Sequence, residues 1–308
     1  MKKIIAITAG DPRSINTEII GKTWKNLKIK FKKKIFIIGN FNLLKKQLKK
    51  NKINISLNKV IHFKEIKFSN KLTILDMPIG SNYVLNCINL ANKLANENKI
   101  QGVITCPINK RRVLKSKNLG LTEYLAKKNK VLGSEVMMIY NKKLSVVPIT
   151  THIKIKNISR SLNKSLIEKK IKVLKNFYSK KFKRKPKIAI LGLNPHNDEL
   201  LKDSEEIRLI IPVIKKLKKI NKNIVGPIPA DTVFTNKNKL KYDAIVGMYH
   251  DQVLAPYKAI YNFDAVNVTL GLKYFRVSPD HGVAEDIANL RKANPLSLLR
   301  CVEFFNSN

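Results

Sequence analysis

The sequence predicts an α/β protein built on mostly parallel sheets, and three observations carry that expectation. Short apolar runs of strand length alternate with amphipathic helical stretches along the whole chain, the pattern of successive strand and helix units. With 308 residues, 44% of them apolar, the chain is long enough for two such domains or one large one and can build a proper core. Three of the five histidines stand just past apolar runs: His152 after Leu144–Thr151, His196 after Ile188–Leu193, and His250 at the end of the run that begins at Tyr242. In an open parallel sheet the carboxyl ends of the strands share one edge, so residues just past them can converge.

Taken in order, Ile4–Thr8 reads as the first strand and Gly10-Asp11-Pro12 as the turn that ends it. A helix follows from about Ser14, with Ile19, Ile20 and Trp24 turned inward. Lys34–Ile38 is a second strand, closed by Gly39-Asn40, and Leu43–Lys50 is an amphipathic helix whose lysines form a solvated face. Strands are expected near Val60–Phe63, with His62 inside as a structural residue, and at Leu72–Leu75. Ser81 is placed to cap a long helix in which Val84, Cys87, Ile88, Ala91, Leu94 and Ala95 share one face. The strand Gly102–Thr105 leads through Cys106-Pro107-Ile108-Asn109 to Lys110, either a helix-start cation or an anion ligand. Leu121-Thr122-Glu123 opens a further helix.

Val136–Tyr140 and Leu144–Ile149 read as adjacent strands, a hairpin turning at Asn141-Lys142. Ser165–Phe182 is a basic amphipathic helix, and Ser204-Glu205-Glu206 begins another that carries Ile207, Ile210, Ile211, Val213 and Ile214. Gly226–Thr232 reads as an irregular loop, from which Asp231 is the carboxylate expected near the histidines. A strand at Ala265–Leu270 and two helical pieces, about Val283–Arg291 and Leu296–Phe305, complete the chain.

A formal charge of +40 first suggests nucleic acid. The basic residues, however, are 52 Lys and only nine Arg, whereas phosphate and base recognition favours the guanidinium fork. Lys, Asn and Ile are all abundant and all have A/T-rich codons, so the charge reads as a solvated surface, not a specific nucleic-acid site. Three cysteines without CxxC spacing give no disulfide framework and point to a reducing cytoplasm. The apolar run Ile4–Ala9 is too short for a signal core, and no run approaches the ~18 apolar residues of a membrane span.

Three imidazoles with Asp198, Asp231 and Asp251 at hand suit a divalent metal: Zn²⁺, with Mn²⁺ or Mg²⁺ also accepted by flanking carboxylates. Neither GxGxxG nor GxxxxGK[ST] occurs, so a nucleotide, if bound, is held in another way. The strings GLNPH (192–196), PADT (229–232), MYHDQ (248–252), VNVTLGL (266–272) and DHG (280–282) resemble, in that order, the 4-hydroxythreonine-4-phosphate dehydrogenase family. That family is similar in fold to isocitrate and isopropylmalate dehydrogenases, and HGVAEDIANLRKANP looks like the loop that holds NAD there.

The resemblance implies two α/β/α domains with an active-site cleft between them. The first is expected to be 1–110 plus about 275–308, including the NAD loop, and the second about 111–274. It makes His152, His196 and His250 the metal ligands. It assigns Thr122, Lys258, Asn267 and Arg276 to the phosphorylated substrate, and His281, Gly282, Ala284, Asp286 and Asn294 to NAD. Asp231 and Lys110 are the candidate catalytic residues. The implied reaction is oxidation and decarboxylation of 4-phosphooxy-L-threonine in pyridoxal phosphate biosynthesis, by a homodimer with the active site at the interface. There His152 and His196 are expected from one subunit and His250 from its partner.

Three departures from the family pattern open alternatives. The first loop reads GDPRSINTE where the family has GDPAGIGPE; Leu121 stands where a substrate-contacting His is expected; and AGxG of the nucleotide loop becomes Ala288-Asn289-Leu290-Arg291. Asn tolerates positive φ, so Asn289 is expected to keep the backbone shape. A dehydrogenase of another phosphorylated four-carbon hydroxy acid is one alternative. A metal-dependent hydrolase is the other, if the altered loops no longer hold NAD.

Overall fold

A computed structural model describes residues 4–114, 120–239 and 241–306. The chain forms two compact units, one of Met1–Leu125 with Leu272–Ser307 and one of Ala126–Gly271.

In the first unit the strands are β1 (Ile5–Thr8), β2 (Ile35–Gly39), β3 (Leu57–Val60), β4 (Leu72–Asp76), β5 (Gly102–Thr105) and, from the C-terminal segment, β12 (Phe275–Pro279). They lie in the order β3-β4-β2-β1-β5-β12, and every pairing is parallel. Strands of a parallel sheet are buried on both faces, which is why β1 and β2 are apolar almost throughout and fully buried. The helix Tyr83–Asn96 seals one face with Tyr83, Cys87, Ala91, Leu94 and Ala95. Burial pushes the Cys87 thiol up to about 12, so this cysteine is core. Asn40 caps the helix Phe41–Lys50 by accepting from Leu43 N at 2.9 Å.

The second unit holds β6 (Val136–Tyr140), β7 (Ser145–Pro148), β8 (Ile188–Leu191), β9 (Ile224–Ile228), β10 (Ala244–Gly247) and β11 (Val266–Leu270), ordered β11-β6-β7-β10-β8-β9. β7, β10, β8 and β9 run parallel. β6 and β7 form the expected antiparallel hairpin, closed by Asn141 N donating to Leu144 O, and β11 adds antiparallel to β6.

Four local expectations are corrected. His62 is exposed at the head of a short turn, Phe63–Glu65, and the strand before it is Leu57–Val60. Ser81 makes no cap; the helix begins at Tyr83 without a side-chain cap bond. Gly226–Thr232 is part strand, because β9 lies at a sheet edge where Pro227 removes no ladder bond. Val283–Arg291 is not a helix: Ala284 has a left-handed backbone, and only Glu285–Ile287 makes a 3₁₀ turn. Beyond these, a helix runs from His250 to Tyr261 with Pro256 inside it.

Candidate active site

The three histidine-bearing strands are neighbours, since β10 pairs with β7 on one side and β8 on the other, all parallel. Their carboxyl ends therefore lie along one edge. His152 and His250 stand side by side there, with ring centroids 6.0 Å apart. His250 Nδ1 lies 2.6 Å from Asp251 Oδ1, which orients the imidazole. His196 Nε2 faces Asp231 Oδ2 at 3.9 Å, and its Nδ1 faces Glu199 Oε1 at 3.6 Å. Among the described residues no three His, Cys, Asp or Glu side chains stand close enough together to hold a metal ion. One chain thus brings together His152 and His250, the pair that the resemblance divides between subunits.

His196 opens an unusual turn. His196, Asn197, Asp198, Glu199 and Leu200 all have positive φ, between 44° and 61°. Each such L-residue costs roughly 1–2 kcal/mol, so the turn persists only because its surroundings hold it. At its entry Glu206, fully buried, accepts from Leu193 N (2.6 Å), Asn194 N (3.0 Å) and Asn194 Nδ2 (3.0 Å). Glu205 accepts from Asn194 Nδ2 and from the Ser159 hydroxyl; the Ser159 bond is the larger reason its carboxyl sits below the usual range.

The strand ends are tied to one another as well. Thr150 donates through N and Oγ1 to Met248 O, at 3.0 and 2.7 Å. Gln252 accepts from Met248 N at 2.7 Å and donates to Gly192 O at 2.8 Å, joining the ends of β10 and β8. Lys170, buried, donates to Ile149 O at 2.7 Å, three residues before His152. Glu206, Gln252 and Lys170 escaped sequence reasoning because each acts on backbone atoms distant in sequence. The one available signal was the polar residue Gln252 directly after the His-Asp pair.

The substrate candidates differ in setting. Asn267 lies on β11 opposite Ile139, and its buried Oδ1 has no partner among the described residues, as a ligand-facing amide would be left. Lys258 projects from the helix His250–Tyr261, its ammonium 5.3 Å from the Phe263 ring centroid. Thr122 is the second residue of the helix Leu121–Lys128. Arg276 is only 4% exposed, and its Nε and Nη2 meet Thr105 Oγ1 at 2.9 and 2.6 Å. Burial pushes its guanidinium down to about 10.

Leu121 is buried in an apolar cluster with Ile88 and Leu125. Leu121→His should therefore lower stability by roughly 2 to 3 kcal/mol, through lost apolar burial and an imidazole taken out of water. Denaturant titration checks this; an unchanged midpoint would show that the cluster opens readily enough to admit a ligand-facing histidine.

In the first unit Lys110 begins the short helix Lys110–Leu114 and is exposed. Beside it Arg112 bridges Asp11 (2.9 Å) and Glu285 (2.5 Å), tying the first loop to the nucleotide loop. Glu285 and then Asp11 hold the guanidinium firmly charged, and Arg112 in turn keeps the Glu285 carboxyl low. Within the nucleotide loop His281 Nδ1 lies 2.9 Å from Gly282 O, and Gly282 faces open space. Asp286 is exposed, Asn294 accepts from Leu296 N at 2.9 Å, and Ala284, Asn289 and Arg291 have φ of 46°, 68° and 61°.

Residues 31–305 match the family described as pyridoxal phosphate biosynthetic protein PdxA. The chain belongs to the PdxA family. It is 37% identical to 4-hydroxythreonine-4-phosphate dehydrogenase of Aquifex aeolicus, over 98% of each chain. It is also 32% identical to D-threonate 4-phosphate dehydrogenase of Pectobacterium atrosepticum, over 97% of each. The crystal structure of 4-hydroxythreonine-4-phosphate dehydrogenase from Klebsiella pneumoniae superposes with a TM-score of 0.86 at 32% identity, covering 99% of this chain and 97% of that one. Isocitrate dehydrogenase of Methylococcus capsulatus shares the fold alone, at 12% identity and a TM-score of 0.51 over 98% of this chain and 84% of that one. This PdxA-family chain is a dehydrogenase, so the hydrolase alternative falls away. Among its described residues no helix is long and apolar enough to cross a membrane.

Proposed function

We propose that this chain oxidises the C3 hydroxyl of 4-phosphooxy-L-threonine with NAD⁺ and releases CO₂ to leave 3-amino-2-oxopropyl phosphate, in the cytoplasm, for pyridoxal phosphate synthesis. The observation that carries the reading is that His152, His250 and His196 each follow one of three adjacent parallel strands, with the first two side by side, in a PdxA-family chain. The donor set fits a borderline divalent cation, Zn²⁺ or, with the nearby carboxylates, Mn²⁺ or Mg²⁺: two imidazoles side by side, and a third beside a carboxylate. When bound, such a cation supplies Lewis-acid stabilisation of negative charge on the C3 oxygen. The nucleotide loop fits a dinucleotide, with Gly282 open to close approach and Ala284 left-handed; bound there, NAD⁺ would supply the hydride acceptor. His281, Asp286 and Asn294 complete the set that would hold it.

The chain's own groups do the rest. Asp231 Oδ2 takes the proton from the C3 hydroxyl as hydride leaves C3. The resulting 3-oxo acid has its carboxylate β to a carbonyl, so the C1–C2 electron pair flows toward C3 as CO₂ departs, and C2 then gains a proton. Asn267 Oδ1, without a partner among the described residues, accepts from a substrate donor. Lys258, Arg276 and Thr122 hold the phosphate, whose dianion matches charged donors. Lys110 adds an ammonium to the catalytic set. The third histidine is supplied by a second copy of the chain, which would also cover the exposed Ile153, Ile155, Leu200 and Leu201 that lie within a few residues of His152 and His196 in the sequence.

Purified protein with NAD⁺, Zn²⁺, Mn²⁺ or Mg²⁺ and 4-phosphooxy-L-threonine should generate NADH absorbance. A second reading, oxidation of D-threonate 4-phosphate, is favoured by the buried Leu121 at the expected histidine position and by the Pectobacterium relative. Activity on D-threonate 4-phosphate alone would select it. For the strand-end ties, Gln252→Met removes both bonds to Met248 and Gly192, and cation affinity should fall about tenfold, as when groups supporting metal ligands are lost. Calorimetric titration reads this directly, and unchanged affinity would leave Gln252 without a part in the site.

A further inference from the structure

Left-handed backbone at Asn289 and Arg291, φ 68° and 61°, sits where the family resemblance expects glycine. Glycine adopts that region freely and arginine does not, so something else must hold the loop. The helix Asn16–Asn26 supplies it. Lys22 Nζ meets three acceptors: Glu18 Oε1 at 2.6 Å, Arg291 O at 3.0 Å and Ala293 O at 2.8 Å. An ammonium has three hydrogens, and three acceptors match them one for one. Glu18 is 1% exposed, and the same Oε1 accepts from Ala293 N at 2.9 Å. One lysine and one buried carboxylate one helical turn apart thus bind both the donor and the acceptor of Ala293, together with the carbonyl of the left-handed Arg291.

We propose that Lys22, seated on Glu18, is a positioning residue that holds segment 288–293 in its left-handed course and so preorganises the nucleotide site without glycines. This rests on reading that loop as the nucleotide site, and it concerns the loop's shape, not a contact between Lys22 and nucleotide. It predicts a specific coupling. Removing Lys22 lets Asn289 and Arg291 leave a backbone region they disfavour; placing glycine at both positions makes that region accessible again, so the brace matters less.

The test compares four full-length proteins: the parent, Lys22→Met, Asn289→Gly with Arg291→Gly, and the triple variant. Two readouts are taken, NADH binding by fluorescence and amide hydrogen exchange of peptides spanning 287–294. Lys22→Met should speed exchange in those peptides and weaken NADH binding by roughly tenfold or more, while cation binding at the histidines is unchanged. The glycine pair should alter NADH affinity little when Lys22 is present and restore most of it when Lys22 is absent. If Lys22→Met fails to fold, Lys22→Gln, which keeps part of the donor set, gives the same comparison at smaller size. Unchanged exchange in the lysine variant overturns the brace. Weakened NADH binding without rescue by the glycines also overturns it, because Lys22 would then act by direct contact. A parent that binds no NADH overturns the nucleotide reading, and the exchange data still decide the brace.

Discussion

Dimers refolded from paired mixtures of His152→Ala, His196→Ala and His250→Ala should recover about one quarter of parental activity in two of the three mixtures and none in the third. Each variant alone lacks a ligand at every site and should be inactive. In a two-fold dimer whose sites take two histidines from one chain and one from the other, a mixed dimer lacking one of each kind has one site with both defects and one with neither. Random pairing makes half the dimers mixed, and half of their sites are intact. The mixture that fails names the pair supplied by a single chain. The ring separation of 6.0 Å between His152 and His250 and the family resemblance, which pairs His152 with His196, point to different pairs, so this result distinguishes them. Recovery in none of the three, with mixed dimers confirmed by mass, would reject a shared site.

Arg276→Met should raise KM for the phosphorylated substrate roughly 10- to 150-fold, the equivalent of one charge-assisted contact of about 1.5–3 kcal/mol. Thermal stability should hardly change. Arg276 is 4% exposed, and burial already disfavours its charge enough to bring the guanidinium down to about 10. Methionine removes the desolvation cost of the buried charge, which offsets the hydrogen bonds lost at Thr105 Oγ1. A buried guanidinium that lowers stability by its desolvation gains most from a dianion brought into the same poorly screened surroundings. The opposite pattern, a large fall in melting temperature with KM unchanged, would make Arg276 a structural partner of Thr105 and remove it from the phosphate site. Cation titration serves as the control and should match the parent.

The sequence by itself determined the alternation of strand and helix, the antiparallel hairpin of β6 and β7, and the placement of three histidines past three strands. These follow from local periodicity and from the edge rule of parallel sheets, both of which are written in residue order. It also carried the family, through short strings whose order is itself information. Among the stretches it misread, strand β9 carries the breakers Gly226-Pro227 yet pairs with β8, and the periodicity of Val283–Arg291 is helical although Ala284, Asn289 and Arg291 have left-handed backbone. Only the tertiary structure decided that Leu121 packs against Ile88 and Leu125, that Arg276 turns toward Thr105, that Gln252 and Glu206 bond the backbone at the strand ends of one unit, and that Lys22 bonds the carbonyls of Arg291 and Ala293 in the other. Burial and side-chain bonds to remote carbonyls and amides depend on which segments meet in space, and no periodicity in the chain records that.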